Sequence, residues 1–264
     1  MKHEQVMKSI ISRDNPTFKQ LKKLAESARE RRKAGQALLD GVHLIEAAIA
    51  SGHALHTLVV NESALGHVEV AALLGRIHAL HSISLPSALF SEISPVETPT
   101  GILALIDIPQ PVIPSAPQFA LILEDLQDPG NLGSILRSAA AAGVEVAYLS
   151  AGCVDAWSPK VLRAGMGAHF VLPIVERTDL LATVAGFKGA ALAACLQGQP
   201  LYNIDLKGPI AFMIGNEGAG LSQALVSAAS QRFTIPMPGA VESLNAAAAA
   251  AICVFERVRQ TRRP

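Results

Sequence analysis

Apolar and polar positions along this chain follow two rhythms. Residues 17–35, TFKQLKKLAESARERRKAG, space their apolar side chains at helical intervals. That spacing predicts one helix with Thr17 as its cap and Gly35 as its stop. Short apolar segments then alternate with helical ones: ALLDG, VHLIEAAIASG, HTLVV, EVAALLG, IHALHSIS and GILALIDI, the pattern of a small α/β unit. Residues 108–118, IPQPVIPSAPQ, hold four prolines in eleven positions, which no helix or strand interior tolerates. Beyond them FALILE, VEVAYLS, FVLPIV, GAALAAC, PIAFMIG and RFTIP read as strands again, now continuously apolar rather than alternating. Continuous apolar strands are buried on both faces, which predicts a mainly parallel sheet covered by helices. Ser158-Pro159 predicts one helix start, with a cap and a first-turn proline. The expected organisation is an α/β domain over 1–107, a linker over 108–118 and a second α/β domain over 119–264.

Composition changes this picture little. No run reaches about 18 consecutive apolar residues, so no transmembrane helix is expected. The N-terminal MKHEQVMKSIISRD lacks an apolar core followed by a small-residue cleavage site, so a cytoplasmic location is expected. Cys153, Cys195 and Cys253 fit no disulfide or metal spacing and read as small buried hydrophobes. Six of the eight histidines lie within residues 43–81, including His53-x-x-His56 and His78-x-x-His81. No Cys or carboxylate pattern accompanies them, and no metal is expected.

Charge changes it more. The net charge is zero, yet residues 1–36 hold ten Lys/Arg against four acids, so one end carries +6 and the remainder −6. Arg257, Arg259, Arg262 and Arg263 form a second basic cluster. A basic segment on an acidic body suits either a polyanion partner, nucleic acid first, or a solvated helix face.

Three loops between an apolar strand and a helix carry the candidate chemistry. In LILEDLQDPGNLGSILRSAAAAGV (121–144), a buried strand ends in acids and turns through Asp128-Pro129-Gly130. Asn131 and Arg137 stand six apart, about 120° off a common helix face, and converge only if Asn131 precedes the regular turns. Otherwise they are an Asn cap and an ordinary surface Arg. In PIAFMIGNEGAGLSQALVSAA (209–229), three glycines let backbone amides approach a ligand, or simply make a tight turn. The spacing is neither a P-loop nor the dinucleotide fingerprint, and Glu217 favours a neutral or cationic ligand over a phosphate. In PGAVESLNAAAAAA (238–251), Ser243 and Asn245 precede an alanine helix that needs only one of them as its cap.

Together, DPGNLGSILRSAAAAG, FMIGNEGAGLS and IPMPGAVESLNAAAAAAI resemble the three ordered motifs of the SpoU (TrmH-like) branch of the SPOUT RNA methyltransferases. SPKVLRAGMGAHFVLPI lies between the first two as in that family. LLDGVHLIEAAI resembles its ribosomal protein L30e-like substrate-binding domain. The likeness covers residues 116–256 closely and 12–105 more loosely. It implies methyl transfer from S-adenosylmethionine to a ribose 2′-hydroxyl of RNA, with rRNA preferred to tRNA. It also implies a C-terminal domain tied in a deep trefoil knot and a homodimer with its active site near the interface. A tRNA enzyme, a resistance-type rRNA enzyme and a non-catalytic RNA-binding protein on this scaffold are the alternatives.

By the same resemblance Arg137 is catalytic with Asn131 beside it, and Glu217 orients one of the two. Ser243 and Asn245 lie beside nucleophile and cofactor. Main-chain groups around Leu196, Gly215, Asn216, Gly220, Ile235 and Leu244 hold the cofactor. A guanidinium pKa above about 12 makes a general base costly, so alkoxide stabilisation is the expected role of Arg137. Lys22, Lys23, Arg31 and Arg32 of the basic segment are expected to contact RNA phosphates. One departure from the family is the alanine run after Asn245, where a Val-Ser-Val-like segment is common.

Overall fold

The computed structural model describes residues 7–77, 81–94 and 99–262. His78 of the second histidine pair, and Lys2 and Arg263 of the basic clusters, lie outside the described residues. The chain forms two compact units, Met1–Gln110 with Trp157–Phe170, and Pro111–Ala156 with Val171–Pro264. The first thus takes in Trp157–Phe170, a stretch counted above with residues 119–264.

The first unit runs β1 (Lys8–Ser9), α1 (Pro16–Glu26), α2 (Ala28–Ala34), β2 (Gln36–Asp40), α3 (Val42–Ala50), β3 (Leu55–Asn61), α4 (Val68–Arg76), β4 (His81–Leu85), α5 (Ser87–Ile93) and β5 (Ile102–Asp107). Its sheet orders β1-β4-β3-β5-β2, with β5 antiparallel to both neighbours and the other pairs parallel. Phe18, Leu21 and Leu24 on one face of α1 pack with Leu38, Val59, Phe90 and Leu103.

The single helix expected over 17–35 is two helices. Asn15, not Thr17, caps the first: its Oδ1 accepts from Thr17 N at 2.9 Å, and Pro16 fills the first helical position. At Ser27 the backbone becomes extended (φ −119°, ψ 114°), and the Ser27 hydroxyl accepts from Glu30 N to start α2. A serine side chain that can satisfy a free helix-end N–H competes with continuation of the helix. Gly35 ends α2 at φ 64°, as expected.

The break decides the fate of one predicted RNA contact. Arg31 is 3% exposed, and its guanidinium donates to Leu24 O at 2.6 Å and Ala25 O at 3.1 Å. These carbonyls belong to the last turn of α1, which has no further turn to donate to it. Arg31 therefore holds α1 and α2 together and does not face solvent. Lys22 is also engaged, pairing with Glu92 at 2.8 Å. The first histidine pair divides between unrelated partners, His53 against the Phe170 ring and His56 on Asp107.

The second unit begins with β6 (Phe119–Leu123), α6 (Pro129–Ala142) and β7 (Val146–Leu149). After α7 (Pro159–Gly165), part of the first unit, come β8 (Ile174–Val175), α8 (Leu180–Gly186), β9 (Ala190–Pro200), β10 (Ile210–Ile214), α9 (Gln223–Ala228), β11 (Gln231–Thr234) and α10 (Ala246–Thr261). The sheet orders β11-β9-β10-β6-β7-β8 and every pair is parallel. β6 and β10, its central pair, are buried at every position. FVLPIV, expected as a strand, contributes only Ile174–Val175, with Pro173 just before them. Between β9 and β11 the register jumps from Ala193↔Arg232 to Gln199↔Phe233, so residues 194–198 leave the ladder. A Cβ on Gly198 would sit 2.8 Å from the Arg232 and Phe233 backbone, so glycine lets the strand rejoin its partner.

Arg31→Ala is expected to lower the stability of the first unit by about 2 kcal/mol, because two buried carbonyls lose a charged donor. Arg32→Ala, at an exposed position, is expected to stay within about 0.5 kcal/mol. Urea denaturation of both variants checks the contrast.

Candidate active site

In a wholly parallel sheet the loops after the strands share one edge, where α/β folds bind ligands. The loops after β6, β10 and β11 meet there through side chains.

Asp128, not Asn131, caps α6: its Oδ1 accepts from Asn131 N at 2.7 Å. Asn131 is thus the third residue of the helix, inside its first turn, and its side chain is free for other work. Its Nδ2 donates to Glu217 Oε1 at 3.0 Å, and its Oδ1 accepts from Asn245 Nδ2 at 2.9 Å. Asn245 caps α10, its Oδ1 accepting from Ala247 N at 2.9 Å and Ala248 N at 3.3 Å. The donors therefore all point one way, from the start of α10 through Asn245 and Asn131 to the Glu217 carboxylate.

Glu217 also accepts from Gln127 N and Asp128 N, each at 3.3 Å. Partial burial by itself raises its carboxyl. Hydrogen bonds from Asn131 and from the main-chain N–H groups outweigh burial and hold it below its ordinary value.

The first two loops are bound along their length. Glu124 Oε2 accepts from Ser222 N at 2.7 Å, and Asn216 Nδ2 donates to Asp125 O at 2.8 Å. Asn216 Oδ1 accepts from Gly218 N and Ala219 N, closing the glycine turn. A Cβ on Gly215 would sit 2.2 Å from Gly220 C, and Gly220 has φ 70°, so both glycines are required by the turn itself. Asp125 adopts φ 51° and exchanges hydrogen bonds with Ser150. Gln127 Nε2 donates to Asp125 O and Gly152 O. Asp125, Gln127 and Ser150 were missed as site residues; the acids closing a buried strand were the only sign of them.

The other expected site residues fall into place unevenly. Leu196 lies on the excursion of β9 and is 71% exposed, and its carbonyl accepts from Thr234 Oγ1, next to Ile235. Leu244, at the start of α10, is 37% exposed. The side chains of Ser243 and Arg137 are exposed and make no hydrogen bond or ion pair with a described residue. Glu217 accepts a hydrogen bond from Asn131 and none from Arg137. Because Asn131 lies within the helix, Arg137 is about 9 Å further along α6 and about 120° round it, and the two do not share a face. Among the described residues there is no group of three or more His, Cys, Asp or Glu that could hold a metal ion. Among them, no helix is long and apolar enough to cross a membrane.

This arrangement matches known proteins over both units. The SpoU rRNA Methylase family profile matches residues 118–255, and the MRM3-like substrate binding domain profile matches residues 15–104. An uncharacterized tRNA/rRNA methyltransferase of Synechocystis is 36% identical, over 96% of this chain and 94% of its own. The 23S rRNA (guanosine(2553)-2′-O)-methyltransferase RlmP of Bacillus subtilis is 33% identical, over 94% of this chain and 98% of its own. The crystal structure of the SpoU methyltransferase AviRb of Streptomyces viridochromogenes in complex with AdoMet superposes with a TM-score of 0.84 at 30% identity, covering 93% of this chain and 98% of that one. The chain belongs to the SpoU RNA methyltransferase family.

Replacing Asn131 by Asp is expected to lower the melting temperature more than replacing it by Ala, because a second carboxylate would face Glu217. A carboxylate held below its ordinary pKa stabilises the fold above that ordinary value, 4.5 here, and loses its contribution as pH falls through the lowered one. The stability gap between the native protein and Glu217→Gln is thus expected to be constant above about pH 5 and to close at lower pH, measured by urea denaturation.

Proposed function

We propose that this chain methylates ribose 2′-hydroxyls of ribosomal RNA with S-adenosylmethionine as methyl donor. The observation that carries the reading is the continuous Asn245–Asn131–Glu217 chain of hydrogen bonds, which unites the three family motifs at the sheet's carboxyl edge. When bound, S-adenosylmethionine supplies a methyl group already activated by its positive sulfonium. The residues present suit such a ligand. Exposed apolar Leu196 and Leu244 offer contact to an adenine ring, and the Glu217 carboxylate offers a negative field to a cation. Main-chain groups around Leu196, Gly215, Asn216, Gly220, Ile235 and Leu244 would hold it.

Within this reading Asn131 and Glu217 act as positioning residues that fix Asn245, while Asn245 and Ser243 flank the reacting hydroxyl. Arg137 stabilises the developing alkoxide and grips the neighbouring phosphate, a role suited to a planar cation that stays protonated. Its place on another face of α6 supports a homodimer in which Arg137 of one copy serves the site of the other. We further propose the division of labour expected from the sequence, with RNA binding in residues 1–107, a linker at 108–118 and methyl transfer in 119–264, in a cytoplasmic enzyme. Membership of the SpoU family, matched over residues 118–255, supports a knotted chain in this domain.

The test is transfer of labelled methyl from S-adenosylmethionine to ribosomal RNA, with the product mapped at the ribose. Arg137→Ala is expected to cost about 10²–10³-fold in rate, the magnitude for losing one donor to a developing anion. Arg137→Lys is expected to retain clearly measurable activity. Equal activity of the two variants would sink the proposed role, and no transfer by the native protein would sink the function.

A further inference from the structure

The break at Ser27 turns α2 beside α1 and opens a groove of about 470 Å³ between them. Pro16, Lys19, Gln20, Lys23 and Leu24, positions i, i+3, i+4, i+7 and i+8 of one helix face, line it from α1. Glu30, Lys33 and Ala34, positions i, i+3 and i+4, line it from α2. The groove therefore combines apolar surface from exposed Pro16 and Ala34, over the buried Leu24, with three lysines and one acid, Glu30.

The cations of this segment divide into engaged and available ones. Arg31 is spent on the end of α1, and Lys22 and Arg13 share Glu92. The side chains of Lys23 and Lys33 are exposed and make no hydrogen bond or ion pair with a described residue. Among the described residues Lys19 pairs only with Asp14, at 2.8 Å, and that carboxylate is 91% exposed, so water and salt loosen the pair readily. Three ammonium groups around an apolar surface fit a polyanion that carries flat apolar groups. Among RNA structures that is an unpaired segment, whose bases are free to leave the stack and lie on a protein surface. A regular duplex keeps its bases inside and offers such a groove phosphates alone.

We propose that the α1–α2 groove grips an unpaired nucleotide of the RNA substrate, with its flanking phosphates on Lys23 and Lys33 and its sugar and base against Pro16 and Ala34. This deepens the proposed function, since it rests on RNA being the substrate. It replaces Lys22 and Arg31 by Lys19 and Lys33 in the expected RNA contact.

The test measures binding of a labelled single-stranded RNA to the full chain from about 50 to about 200 mM KCl. Each lost phosphate contact lowers the salt slope by about 0.7, so Lys23→Gln/Lys33→Gln is expected to lower it by about 1.4. Lys22→Gln is expected to leave the slope unchanged, and S-adenosylmethionine affinity is expected to be equal in all three proteins. An unchanged slope in the double variant, or an equal fall in Lys22→Gln, overturns the groove. Loss of the slope on duplex RNA but not on single strands also overturns it. Failure of the native protein to transfer methyl overturns the catalytic reading instead, so the two failures are told apart.

Discussion

A primary amide has two ends of opposite hydrogen-bonding sense, and the Asn131 side chain uses both. Its NH₂ meets a carboxylate, which only accepts, so its oxygen must meet a donor, and the Asn245 NH₂ is that donor. The Asn245 oxygen is then left for the first N–H groups of α10. Each amide orientation forces the next, and the chain ends on a charged acceptor that strengthens it. The second motif loop and the last helix are thereby referred to a single turn of α6. A residue without both ends, such as Asp or Ala, could hold one neighbour at most.

That turn is itself supported from below. Asp125 leaves β6 at φ 51°, a conformation that Asp tolerates better than most residues, and its carbonyl meets both Asn216 and Gln127. A Cβ on Gly152 would fall 2.1 Å from Asp125 Oδ1, so glycine there makes room for the carboxylate. The polar side chains of this edge spend much of their hydrogen bonding on one another. Leu196, Leu244 and Ser243 at this edge remain exposed, two apolar side chains and a hydroxyl.

The basic segment makes the same point about charge. Arg31 and Arg32 are neighbours of one type, yet one is buried on two carbonyls and the other is exposed. The difference is a matter of helix phase after the break at Ser27. Net charge located the region where an anion would be met, but each cation's availability depends on what the folded chain places against it.

Local pattern sufficed for much of this architecture. Buried parallel strands announce themselves as continuous apolar runs, Gly35 stops a helix where expected, and three glycine-and-amide loops in order identified the family. These features depend on residues a few positions apart, whose physics is local. The partners of Asn131 are 86 and 114 positions away, and nothing in spacing says which of two amide ends meets which. The same holds for Asp128 taking the cap that left Asn131 free, and for Arg31 turning inward. Such choices are settled by which donors and acceptors converge once distant segments pack, because a hydrogen bond depends on direction and separation in space and not on distance along the chain.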